Sequence, residues 1–137
     1  MGLIHLDAGV IIGFLDVDDA HHPATRQKLS EAVDGNHQLA IAASALAECL
    51  VAPARRGEPE IEVALALMSR LPITIVELDA AIAAQAARLR AGHRSLRLPD
   101  ALVIATAEMS GADQLVTTDH RWPGTEEMGL AIEIQLI

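Results

Sequence analysis

The chain has 137 residues and is 51% apolar, enough for one domain with a real core, yet it holds one Phe, one Trp and no Tyr. A base-stacking platform therefore lacks its rings, and a single cysteine, Cys49, excludes a disulfide framework and suits a reduced, cytoplasmic setting. The formal net charge of -9 argues against holding nucleic acid by overall attraction. No apolar run is long enough to span a bilayer. The opening Met1-Gly2-Leu3-Ile4-His5-Leu6-Asp7 lacks the basic region of a signal peptide, and Leu6 stands where a myristoylation signal wants Ser or Thr.

Leu3 to Leu6 reads as a short buried strand ending at Asp7, followed by an apolar helix from Gly9 to Leu15 and an acidic loop. Pro23 opens an amphipathic helix that ends near Gly35. Leu39 to Ala42 is the second strand. Ser44 is the expected N-cap of a helix from Ala45 to about Ala54, and Gly57 and Pro59 divide it from a helix spanning Glu60 to Arg70. Ile73 to Val76 is the third strand, and Asp79 caps an alanine-rich helix reaching about Ala91. Pro99 and Gly111 bracket a helix that is apolar on almost every side and so expected to be buried. Gln114 to Thr117 is the fourth strand. The last, Leu130 to Leu136, alternates, with Leu130, Ile132, Ile134 and Leu136 predicted to face inward along a sheet edge. Strands alternating with helices imply an α/β sandwich with a mainly parallel sheet, in one domain covering 1–137. Ligands of such sheets bind beyond the carboxyl ends of the strands.

Three acids stand at places this architecture brings to one edge, and a fourth, Asp100, which follows a helix rather than a strand, is assumed to join them. Asp7 and Asp119 follow strands, and Glu48 lies early in the helix after the second strand. Asp100 stands in the first turn of the apolar helix, where a bland role as dipole compensation is also open. Glu48 lies one residue beyond the capping-box position of a helix capped by Ser44, in an apolar segment. Cys49 beside it reads as a small core residue, and Trp122 as a packing lid. Arg88, Arg90, Arg94 and Arg97 place four of the ten basic residues in one short window. His21 and His22 lack the partners and spacing of a zinc site and read as surface residues.

The ordered set Ile4-His5-Leu6-Asp7, Ser44-Ala45-Leu46-Ala47-Glu48, Leu98-Pro99-Asp100-Ala101-Leu102-Val103-Ile104-Ala105-Thr106-Ala107 and Leu115-Val116-Thr117-Thr118-Asp119 resembles the PIN-domain ribonucleases, and among them the VapC-type toxins of toxin–antitoxin pairs. The resemblance runs over nearly the whole chain and implies a PIN-like α/β/α sandwich with a mainly parallel sheet of about five strands. It departs in one place: the family commonly has Ser or Thr and then Asn or Ser after the first acid, and here Ala8-Gly9 follow Asp7.

The resemblance implies an endoribonuclease in which Asp7, Glu48, Asp100 and Asp119 are catalytic and hold one or two Mg²⁺ (or Mn²⁺) ions, Asp7 and Asp100 being the main ligands. Clustered carboxylates repel, and a hard divalent ion with oxygen ligands reverses that repulsion. Arg94, Arg97 and Arg121 are then candidates for flanking RNA phosphates. The implied partners are an RNA substrate, a cognate VapB-type antitoxin whose flexible tail wraps the toxin, and a second copy in a homodimer. Two other readings stay open. One is a PIN-like protein-binding module without catalysis. The other is an aspartyl-phosphate enzyme, disfavoured because Lys28 is the only lysine.

Overall fold

The computed structural model describes residues 2–137. Five strands, β1 (Leu3–Leu6), β2 (Gln38–Ala42), β3 (Ile73–Val76), β4 (Gln114–Thr117) and β5 (Glu133–Leu136), form one sheet in the order β3-β2-β1-β4-β5. Every pairing is parallel. The helices are α1 (Ala8–Leu15), α2 (His22–Asp34), α3 (Ala43–Arg56), α4 (Glu58–Ser69), α5 (Ala80–Gly92), α6 (Leu98–Met109) and α7 (Thr125–Met128). The chain steps outward from β1 through β2 to β3, then crosses back to β4 and steps outward again to β5. Right-handed crossovers in opposite directions send helices to both faces, giving the expected α/β/α sandwich. The strand order reverses between β1 and β4, and such a switch point opens a crevice at the carboxyl edge.

Aliphatic side chains fill the core. Leu6, Ile11, Ile41, Leu96, Ile104 and Leu115 are all fully buried, while Phe14 and Trp122 pack only partly buried against them. Burial of α6 follows its composition, with Ala101, Val103, Ile104, Ala105 and Ala107 all inside; its exposed residues, Leu98, Pro99 and Met109, lie at its ends. The α5 helix packs alongside it, and Gln85 Nε2 donates to Glu108 Oε1 at 2.8 Å between them. Gly57 ends α3 and starts α4 with φ 132°, a backbone conformation that favours glycine.

Three local expectations change. The N-cap of α3 is Ala42, not Ser44; β2 runs directly into the helix, and Ser44 Oγ is buried with no hydrogen-bond partner among the described residues. The last strand covers only Glu133 to Leu136, and Leu136 is exposed although its alternation placed it inside. The β5 strand pairs on one side only, with β4, so no packed neighbour enforces the alternation. The short helix α7, between Trp122 and β5, has too few residues for a periodic signal.

Candidate active site

Asp7 leaves β1 at the switch point and becomes the N-cap of α1, its Oδ1 accepting from the Ala8 N–H at 2.8 Å. The partner strand supplies the other bond: Thr117 Oγ1, at the end of β4, donates to Asp7 Oδ2 at 2.8 Å. The same hydroxyl accepts from the Asp119 N–H at 3.0 Å. One threonine therefore fixes the Asp7 rotamer and the turn that carries Asp119. Asp7 is 8% exposed and Thr117 is fully buried. Thr117 escaped the sequence reading, because a threonine ending a strand is ordinary in itself. Its only signal was its place two residues before Asp119.

Asp100 reaches the same edge through the loop before α6. Leu96 is fully buried and anchors that loop, Pro99 opens the helix, and Asp100 is 9% exposed in its first turn. Arg97 Nε donates to Asp100 Oδ2 at 3.3 Å, and its Nη2 lies 4.0 Å from Asp119 Oδ2. Arg121 grips Asp119 with both ends of its guanidinium, Nε to Oδ1 and Nη2 to Oδ2, each at 3.0 Å. Glu48 sits at the exposed rim, on α3, and makes no salt bridge with a described residue. Arg94 lies exposed in the loop before α6 and makes no ion pair with a described residue.

The charges share one field. Burial pushes the Asp7 carboxyl above its usual range, the hydrogen bonds from Thr117 and Ala8 pull it back, and the charges of Asp100 and Asp119 push it up again. Glu48 is also raised, by partial desolvation first and then by Asp7 and Asp100. Asp119 is lowered, chiefly by its hydrogen bond from Arg121. The Cys49 thiol, against Ala8 O at 3.7 Å, is pushed up to about 12 by burial and is an inert core group. His21 and His22 are partly exposed, and His22 Nδ1 ties to Gly13 O at 2.8 Å, joining α2 to α1.

A hard divalent cation suits this donor set, which consists of carboxylate and hydroxyl oxygens around a buried acid repelled by its neighbours. Among the described residues no three of His, Cys, Asp and Glu stand as a finished ion-binding group. Arg97 and Arg121 occupy carboxylate oxygens instead, balancing the charge of Asp100 and Asp119. Beside Glu48 an apolar groove of about 470 Å³ opens between α1, α3 and α4, lined by Ile12, Leu15, Val63, Leu67 and Met68.

A family model described as PIN domain matches residues 4–127. The chain belongs to the PIN-domain family. A search among curated proteins finds no match. Among solved structures, this PIN domain is similar to a VapBC2 complex from Rickettsia felis bound to a fragment of its promoter DNA. There the TM-score is 0.73 at 14% identity, over 98% of each chain. It is also similar to a toxin–antitoxin complex from Klebsiella pneumoniae, with a TM-score of 0.70 at 21% identity over 90% of this chain and 93% of that one. A third is VapC20 of Mycobacterium tuberculosis, described as a toxin cleaving the sarcin–ricin loop, at 0.66 and 17% over 82% and 86%. At these identities the likeness is one of fold.

Proposed function

We propose that this PIN domain is a divalent-metal-dependent endoribonuclease and the toxin of a VapBC-type pair. The observation that carries the reading is the buried Asp7, held by Thr117 across the β1–β4 switch point and lying in the field of Asp100, Asp119 and Glu48. Asp7 and Asp100 would hold a Mg²⁺ or Mn²⁺ ion, with Glu48 and Asp119 more peripheral. When bound, such an ion polarises a phosphodiester, lowers the pKa of a water and neutralises the leaving oxygen. The Thr117 hydroxyl favours the ionised form of the Asp7 carboxyl against burial and aims it. Arg97 and Arg121, both largely exposed, neutralise the pocket and can turn toward flanking phosphates, as can Arg94. Those contacts position RNA without reading its sequence.

The similarity to toxin–antitoxin complexes over most of the chain supports a VapB-type antitoxin as partner. The chain's charge of -9 favours a basic inhibitory segment, and the apolar groove that begins at Glu48 offers a bed for the segment's hydrophobic side chains. A cytoplasmic homodimer completes the proposal. Among the described residues no helix is long and apolar enough to cross a membrane, which accords with it.

The test is cleavage of RNA by the purified, antitoxin-free chain with and without Mg²⁺ or Mn²⁺, followed by sequencing of cut ends after induction in cells. Asp7→Asn and Asp100→Asn should each abolish metal-dependent cleavage; near-parental activity in either sinks the assignment. One observation favours a non-catalytic binding module: Arg97 and Arg121 already neutralise Asp100 and Asp119. Calorimetry with Mn²⁺ decides, since a module of that kind takes up no ion.

A further inference from the structure

Ala8 and Gly9 leave the chain without a hydroxyl directly after Asp7. The fold brings one from the far end of the sequence. A Cβ built on Gly9 would lie 2.4 Å from Thr118 Oγ1, whereas Thr118 Cβ and Cγ2 stand back at 3.7 and 3.9 Å. The hydroxyl, and not the methyl, therefore occupies the space that a side chain at position 9 would fill. Its two chain neighbours are already engaged, Thr117 with Asp7 and Asp119 with Arg121. Thr118 is half-buried, and its Oγ1 makes no hydrogen bond with a described residue.

Resting on the metal-dependent reading above, we propose that Thr118 is a positioning residue whose hydroxyl, in place of a side chain at position 9, orients water in the shell of the divalent ion beside Asp7. Threonine suits the task because its branched Cβ restricts χ1, so the hydroxyl is held before any ligand arrives. Gly9 is the other half of the device. An added methyl there would force Thr118 to another rotamer, because the atom it meets is the hydroxyl oxygen itself.

The experiment measures Mn²⁺ affinity of the full chain by calorimetry, with a thermal melt of each variant. Outer-shell partners of metal sites typically contribute 10–100-fold in affinity, and Thr118→Val should weaken binding about tenfold while Thr118→Ser stays near the parent. Gly9→Ala should lose about as much affinity and still melt cooperatively, the cost of turning Thr118 being set against the better helix propensity of Ala. The double variant Gly9→Ala, Thr118→Val should be no weaker than either single one, because both remove the same hydroxyl. Parental affinity in Thr118→Val, or additive losses in the double variant, overturns the assignment while leaving the nuclease reading intact. A parent chain that neither binds Mn²⁺ nor cleaves RNA overturns both. Should Thr118→Val fail to fold, Gly9→Ala against Thr118→Ser carries the comparison.

Discussion

Replacing Thr117 by Val changes one buried hydroxyl into a methyl of nearly the same shape, and it removes two bonds at once. The bond to Asp7 at 2.8 Å has an ionised acceptor and is worth about 1.5–3 kcal/mol; the one from the Asp119 N–H at 3.0 Å is neutral and worth about 0.5–1.5 kcal/mol. Burying the extra methyl returns about 0.8 kcal/mol. The net loss should be about 1–4 kcal/mol near pH 7, a fall in melting temperature of about 4–18 °C for a domain of this size. The loss should depend on pH. Thr117 holds the Asp7 carboxyl down against burial and against its acidic neighbours, so without it the folded-state pKa rises further. The folded variant then binds more protons than the folded parent, and the gap between them narrows as pH falls through the Asp7 titration. Urea unfolding in chelator at neutral and acidic pH measures both effects, with Thr117→Ser as the control that keeps the hydroxyl. A variant as stable as the parent at pH 7, or a deficit equal at both pH values, would refute the reasoning.

Asp7→Asn should raise the melting temperature of the metal-free chain by a few degrees while removing cleavage, because it deletes a buried charge repelled by Asp100 and Asp119; a less stable variant would show that the site is not electrostatically strained. His5, fully buried in β1 with neither ring nitrogen partnered among the described residues, has its pKa pushed down to about 4 by burial. Its folded form refuses the proton that the unfolded form accepts below about 6.5, so stability drains as pH falls from there to about 4, by up to about 3 kcal/mol. Asp7, with its raised pKa, contributes the opposite sign, so the comparison is with His5→Leu: the advantage of that variant should widen on acidification, and a constant advantage would contradict the assignment. The double variant Arg94→Ala, Arg97→Ala should weaken RNA binding and flatten its salt dependence; an unchanged slope on filter binding rules those side chains out as phosphate contacts.

Much of the architecture was legible in the chain because its strands are short apolar runs closed by acids or turns, and its helices carry their own punctuation. Asp79 caps α5 with its side chain to the Ile82 N–H, and Pro99 opens α6, as their types dictate. Ser44 misled for a local reason: a good capping residue was present, but β2 turns into α3 two residues earlier. Leu136 misled because alternation on a strand paired on one side is a weak instruction.

By itself the sequence determined which residues could carry charge chemistry and which segments would lie on the carboxyl side of a parallel sheet, since both follow from side-chain type and local period. Only the tertiary structure decided which hydroxyls meet those acids. Thr117 reaches Asp7 across 110 residues, and Thr118 fills the space at Gly9, because β1 and β4 are neighbours at the point where the strand order reverses. Adjacency of that kind is set by how a whole sheet buries its apolar faces, and no window of the chain contains it.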